Sequence, residues 1–465
     1  MALNDPGTRA AGWATLGVIR VQQRKYDQGA EFLQEALRID SRLVGARINL
    51  GGVYVLQGKK DQAREMFSQA LRLDPANRNA RLDLAQLESD AGNYQAALDA
   101  AEPISAELRH SREGIALLAS DYAGLHQQEA LRALVAQWKA LLPDASPASL
   151  NFASVLLAAG LAPEAIKVLE RAKSAGPVTD RLDQLLADGY MAAGSLDRAS
   201  QAYEAALVLS PDCLACLRGI ATVSVKQGDT EKALAYLIRA KRVAPEDPGV
   251  LFEFGKVCLQ RDLVDDALSA FQEAVKLRPD NDSFRYLLAS AHIGKEQYTE
   301  ARELIVALLK KHPDDPQLNY AAGAAFYLED RLEDADHYLR KSITLQPRQV
   351  GSYDYLGRVA ARRGGAGEAA EIFRNLVRDH PEYAPGYEGL GEALLRQRHY
   401  PDAQSALEKA ILLEPNSTAA HYQLGMLLGR IGKNDESSKE LEIARKLESD
   451  RRAKENMRLH ILMPE

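Results

Sequence analysis

Small and bulky apolar residues recur along this chain every 34 positions, and the pattern starts at Ala10. Thirteen windows of 34 run from residue 10 to residue 451. Position 8 of the window is Gly or Ala each time, from Gly17 and Gly51 through Ala289 to Gly357 and Gly425. Position 20 is Gly, Ala or Ser except at Leu131, and position 32 is Pro in ten of the thirteen, among them Pro75, Pro211 and Pro279. Positions 4, 7, 8 and 11 share one face of a helix. In the second window that face is Arg47, Leu50, Gly51 and Tyr54; in the eleventh it is Tyr353, Leu356, Gly357 and Ala360. A second stripe at positions 20, 24 and 27 reads, for example, Ala267, Phe271 and Ala274. Between the stripes lies a short polar turn such as residues 57–61. Each window therefore predicts two antiparallel helices. Small residues at 8 and 20 let the two backbones approach, and the bulky residue at 24 fills the space beside them. Proline at 32 lacks an N–H and disfavours helix in the residue before it, so it separates one hairpin from the next.

Length alone, at 465 residues, would suggest about three globular domains, but the repeat replaces that count with one continuous array. The hydrophobic share is 46% with only 6% aromatic, so the apolar content leans on Ala, Leu, Val and Ile. That composition suits packed helices better than a β-sandwich. The array leaves an N-terminal arm, 1–9, and a C-terminal capping helix and tail, 452–465. In the latter Ala453, Met457 and Ile461 keep helical spacing, and Arg451, Arg452, Lys454 and Arg458 supply the polar face that a terminal repeat needs. The apolar run 459–463 either packs on the last repeat, meets a second copy in a homodimer, or leads into a longer chain. The fourth window, 112–145, fits worst: its small residue is Ala130, one place early, and Pro143 returns to phase. A one-residue deletion in its interhelical turn is the expected cause, giving either a skewed hairpin or a kink between two parts of the array.

Trp13-x2-Leu16-Gly17, Leu50-Gly51-x2-Tyr54 and Ala63-x3-Phe67-x2-Ala70-x4-Pro75 resemble the tetratricopeptide repeat. The resemblance covers residues 10 to about 451 without insertion. It implies an all-α fold, a right-handed superhelical α-solenoid of tandem helix-turn-helix hairpins. It also implies a non-enzymatic scaffold that binds peptide segments of partner proteins in a concave groove. The alternative role is a regulatory or substrate-recruiting subunit of an enzyme or secretion complex, for example one associated with a glycosyltransferase. A fold does not choose between these. Two known groove types fit poorly. The chaperone-tail clamp finds only Asn49 among Ala14, Val18, Asn49, Asn79 and Asp83. The asparagine ladder of the O-linked N-acetylglucosamine transferase superhelix breaks at Leu185, Gly219, Glu253, Leu287 and Ala321.

In this family the first helices line the groove through positions 2, 5, 9, 12 and 13, so those positions carry the functional information. Position 5 holds three aromatics in succession, Phe252, Tyr286 and Tyr320, with Tyr327 at position 12 and Lys256 at position 9 nearby. Position 13 ends in Arg362, Arg396 and Arg430, and Arg358 stands at position 9. An aromatic ladder followed by an arginine ladder suits an extended peptide with aromatic or apolar anchors and an acidic stretch. Asp354, Glu388 and Glu392 are close enough in sequence to neutralise those arginines instead. A second, apolar groove is expected from Val18, Ile48, Val55 and Leu82, with Val21 and Leu56 beside them. It would hold the arm, a partner chain or another copy.

Net charge is −7, from 58 basic and 65 acidic residues, which argues against nucleic-acid binding. No run of 18 apolar residues occurs, so no membrane span is expected. The first residues lack a basic-then-apolar leader, which favours the cytoplasm and leaves the periplasm open if a leader has been removed. Three cysteines are too few for a disulfide scaffold. Cys213-x2-Cys216 has no second pair to complete a zinc site, so no metal and no cofactor are expected; the pair reads as packed helix-start residues, with redox function at a helix N-terminus as the alternative. No HExxH, Walker or GxSxG motif is present. The cluster Gly364-Gly365-Ala366-Gly367 falls at the interhelical turn.

Overall fold

The computed structural model describes the backbone of residues 6–462 and the side chains of residues 6–450. Most of the arm and the polar and apolar side chains expected to cap the C-terminus lie outside those residues. The described elements are all helical and fall into two compact units, residues 1–243 and 244–465. The first unit holds seven helical hairpins and the second six. Hairpin two, Val44–Leu56 with Lys60–Leu73, and hairpin eleven, Val350–Arg362 with Ala366–Asp379, show the common form. Residues 6–9 belong to the first helix, Pro6–Gln22.

Local chemistry sets the ends of these helices. The residue before a first helix is often a side-chain acceptor. Asn77, Asp247, Asn281 and Asp315 each take the backbone N–H three residues on, one of the groups a helix start leaves unpaired. The turn between the two helices always contains one left-handed residue at position 15. Seven are glycines, such as Gly58 (φ 73°) and Gly364 (φ 85°). The other six, Arg24, His126, Asp262, Glu296, Asp330 and Arg398, adopt φ of 57–63° despite their side chains. That costs about 1–2 kcal/mol each, so hairpin packing must outweigh local preference there.

Packing rests on positions 8 and 24. A Cβ added to Gly51 would lie 2.5 Å from the Phe67 ring, and at Gly357 it would lie 2.6 Å from Phe373. Gly17 meets Leu33, Gly323 meets Leu339 and Gly391 meets Leu407 in the same way. Phe67, Phe271 and Phe373 are in consequence almost wholly buried.

Two irregularities differ from the sequence expectation. The fourth hairpin keeps its register: His126 holds the left-handed turn position, the second helix Gln128–Ala140 starts in phase, and Leu131 is fully buried at the small-residue position. No residue is missing from the turn. The slip falls later, in the 141–146 linker, where Pro147–Ala158 begins one place late behind its cap Ser146. Leucine in place of alanine makes the fourth hairpin the less closely applied pair. The third hairpin holds the actual break. Its second helix stops at Ala101 and continues as a tight turn, Glu102–Ile104, and a short helix, Ser105–Leu108. Pro103 removes a helical N–H at that place. The returning chain is so close that a Cβ on Gly114 would meet the Leu108 carbonyl at 2.4 Å.

Substituting Gly357→Leu should destabilise the second unit by about 1–3 kcal/mol through overpacking. Gly52, in a helix interior with open space around it, should give the reverse, about 0.5–1 kcal/mol of gain on Gly52→Ala. Denaturant unfolding followed by circular dichroism checks both; equal midpoints for Gly357→Leu and wild type would refute the packing account.

Candidate functional site

The first helices carry half-buried side chains that pack against the edge of the hairpin core and keep part of their surface open. In the second unit these include Tyr286 on Asp282–Gly294 and Tyr320 and Tyr327 on Pro316–Leu328. Tyr320 and Tyr327 are seven residues apart and share a helix face. Tyr355, from Val350–Arg362, stands against both, 6.0 Å from the Tyr320 ring and 5.4 Å from Tyr327, edge-on each time. Edge-to-face contact is the favoured arrangement of such rings. Gly351 makes the room: a Cβ there would sit 2.8 Å from the Tyr320 ring. The Tyr286 hydroxyl accepts a hydrogen bond from Gln317 Nε2 at 3.0 Å, joining it to the next helix. Burial pushes the Tyr320 hydroxyl up to about 12, helped by neighbouring Tyr355 and Asp354, so it stays neutral.

Beside the rings lies a half-buried charge cluster. Arg358 Nε donates to both Asp354 oxygens at 3.1 and 3.2 Å. Asp354 is only 7% exposed. Burial raises the Asp354 carboxyl above its ordinary range, with Arg358 pulling the other way. Burial raises Glu388 likewise, opposed by Arg358 and by a hydrogen bond that the Ser417 hydroxyl donates at 3.1 Å. Burial works against the charge on Arg358, but Asp354, with Glu388 and Tyr327, more than offsets it. Tyr383, at the cap before the next first helix, is pushed up by burial and by Asp354. Sequence reasoning passed over Tyr355 and Tyr383, which sit at positions 6 and 34 rather than the groove positions.

The arginine ladder is partly committed to the array itself. Arg362 lies over the Tyr327 ring at 4.8 Å, pairs with Asp330 at 3.2 Å, and donates to the Tyr327 carbonyl at 3.2 Å. Arg396 pairs with Glu392 at 2.6 Å and donates to the Ala361 carbonyl at 2.8 Å. Both carbonyls are at position 12 of the preceding hairpin, near a helix C-terminus where a cation is favoured. Arg430 is exposed and forms no ion pair with a described residue. Phe252 and Lys256 form a group apart from the tyrosines. Phe252 packs on Phe284 at 5.1 Å, and the Lys256 ammonium lies 5.5 Å from the Phe252 ring.

In the first unit Val18, Ile48 and Leu82 are half-buried, and Ile48 packs on the core of the first hairpins. Val55 and Leu56 are exposed. The cavity beside Leu56 is rimmed by charge, including Arg24, Lys25, Asp27 and Lys59, so it is not an apolar seat. A larger cleft of about 840 Å³ opens at hairpins three to five, lined by Tyr94, Leu117, Leu131, Asn151 and Val155 among others. Asp121, next to the lining residue Ser120, is fully buried and neither oxygen completes a hydrogen bond. Burial pushes its carboxyl up to about 6, with Ser89 pulling it partly back and Asp90 adding to the rise. A lone Asp on an otherwise apolar helix face was the available signal. Cys213 and Cys216 are joined by a disulfide, so these helix-start residues are bonded as well as packed. No group of residues suited to hold a metal occurs among the described residues, and no described helix is long and apolar enough to cross a membrane.

Two family models, both described as tetratricopeptide repeat, match the chain. One matches residues 55–120 and 259–325; the other matches 185–248, 218–282, 356–403 and 388–447. Together they cover more than half of it. A TPR repeat-containing protein of Pseudomonas aeruginosa is 28% identical over 188 residues, 39% of this chain and 31% of that protein. The cellulose synthase operon protein C of Pseudomonas fluorescens is 24% identical over 246 residues, 50% of this chain and 19% of that protein. The chain thus spans less than a third of the length of either. Among solved structures, the APC/C hetero-tetramer Cut9–Hcn1 aligns over 92% of this chain and 97% of its own at 13% identity, with a TM-score of 0.47.

Asp121 ionises at about 6 in the folded chain, against about 3.9 unfolded. Its penalty is therefore full above pH 6 and is relieved as pH falls towards 4. Asp121→Asn should stabilise the first unit by about 1–3 kcal/mol at pH 7.5 and by almost nothing at pH 4. Both tryptophans, Trp13 and Trp138, lie in that unit, so tryptophan fluorescence during denaturation reads the effect. Identical midpoints at pH 7.5 would contradict it.

Proposed function

The chain belongs to the tetratricopeptide-repeat family, and from that premise we propose that it is a non-enzymatic scaffold whose second unit binds peptide segments of partner proteins. The observation that carries this reading is the frame of Tyr286, Tyr320, Tyr327 and Tyr355 beside Arg358 on the first-helix face of hairpins nine to eleven. Tyrosine offers rigid contact area with a polar tip and loses little conformational freedom on binding. The rings are only half-buried, so area is left for an apolar or aromatic anchor. An acidic stretch of the same peptide would reach Arg362, Arg396 and Arg430. Arg430 has no ion-pair partner among the described residues, while the other two would exchange Asp330 and Glu392 for the ligand's carboxylates. Phe252 with Lys256 extends this face towards hairpin eight. The apolar residues Val18, Ile48, Val55 and Leu82 form a smaller second seat, for a partner segment or a second copy.

A second reading is a recruiting subunit of an enzyme complex. It is favoured by the likeness to a protein named for the cellulose synthase operon. A stable enzyme partner co-purifying with the chain would select it.

Selection of phage-displayed peptides on the full chain tests the first reading. Recovered peptides should pair acidic residues with aromatic or large apolar ones. Tyr320→Ala should weaken their binding about tenfold or more, the loss of one buried aromatic anchor. Reversing Arg362, Arg396 and Arg430 together to Glu should abolish it, with circular dichroism unchanged in both variants. Equal affinity for wild type and both variants would remove the site.

A further inference from the structure

We propose that Cys213 and Cys216 form a reversible dithiol–disulfide centre that exchanges with external thiols at the start of hairpin seven. The two sulfurs are bonded across a separation of three residues, within the first turn of Leu214–Lys226. Their Cα atoms are 5.3 Å apart, inside the range a disulfide accepts. The helical turn holds that spacing by itself, so bond making and breaking require no backbone movement. A bond across so short a loop also constrains the unfolded chain least. It is a poor staple for the fold, and that points to chemistry as its use.

The two sulfurs are not equivalent. Cys213 is the helix cap and half-buried, whereas Cys216 is fully buried. Cys213 Sγ accepts the Cys216 backbone N–H at 3.2 Å. Elsewhere in the array that cap position carries an oxygen acceptor, at Asn77, Ser111, Thr179, Asp247 and Asn281. Here a sulfur takes its place, and the unpaired N–H groups of a helix start favour a thiolate. Arg239 of the packed second helix Thr230–Val243 donates to the Pro211 carbonyl at 3.0 Å, bringing a cation to the loop that leads into Cys213, while Asp212 in that loop opposes it. The third cysteine, Cys258, is buried in the other unit.

An external thiolate attacks Cys213 Sγ, the Cys213–Cys216 bond breaks, and the Cys216 thiolate leaves and takes up a proton. A second external thiolate attacks the external sulfur of the mixed disulfide and releases Cys213. Two electrons pass from the external thiols, which leave as their disulfide. The reverse sequence reoxidises the pair with an external disulfide as oxidant.

Mixtures of oxidised and reduced dithiothreitol on the native full chain, followed by acid quench and maleimide labelling after denaturation, test this. Labelled thiols should move reversibly between one and three in a single two-electron transition, tenfold in oxidant ratio corresponding to about 30 mV, with helicity retained. With oxidised glutathione, reduced Cys216→Ser should capture a glutathionyl group on Cys213. Cys213→Ser should do so on Cys216 at least about tenfold more slowly, as thiol access requires. A bond that yields only after the chain is denatured would overturn the proposal, as would a pair that never oxidises or equal capture at both sulfurs. The thiol count on wild type stands even if either variant fails to fold.

Discussion

In the seven hairpins with glycine at position 8, one helix backbone lies against the side chain of its partner at a distance no methyl group could occupy; the other six carry alanine there. The glycine at position 8 and the ring or branched chain at position 24 make this contact, as between Gly51 and Phe67 or Gly357 and Phe373. Dispersion and burial at such a site depend on the absence of a gap. Because the contact is internal to a hairpin, the hairpin can be repeated, and each copy needs only its neighbours to finish its core. The rest of the architecture follows. The turn must close two helices held this near, so one residue in it goes left-handed even where that residue is Arg24 or Arg398.

An array built this way absorbs local faults. The break at residues 102–108 stays inside the third hairpin and the linker slip at 141–146 stays between the fourth and fifth. Phase returns afterwards, because position 8 is again a fully buried alanine at Ala153. The cleft of hairpins three to five and the unpaired Asp121 occur where packing is least regular. A polar group buried without a partner is costly, and a large-for-small exchange at Leu131 is the kind of local loosening in which it can persist.

The surface used for recognition is also used for cohesion. Arg362 and Arg396 each reach back 35 residues to a carbonyl of the hairpin before. They join neighbouring hairpins while presenting the rest of the guanidinium on the first-helix face. A ladder of this sort is half structural. Its energetic value to a ligand is the difference between the partners it has and those the ligand supplies. The tyrosine frame differs, since its members contact one another and still leave part of each ring uncovered.

Helix spacing, turn position and the small residue opposite position 24 were legible in the sequence, because a property that every repeat shares is reinforced at each step of the period. Tyr286, Tyr320 and Tyr327 were legible as one face for the same reason. The period averages over repeats, however, and is blind to what only one of them does. Tyr355 stands between Tyr320 and Tyr327 because Gly351 opens a space there, and no other window carries that pair of residues. Arg362 is engaged by Asp330 of the preceding hairpin, whereas Arg396 pairs with Glu392 of its own helix and reaches the preceding hairpin through the Ala361 carbonyl. Leu131 looked like a shifted register in one dimension, and the three-dimensional packing instead buried it in phase. The sequence by itself determined the hairpin and its repetition, since both rest on contacts close along the chain. Tertiary structure decided the partners of individual polar and aromatic groups, since those contacts join residues about one repeat apart.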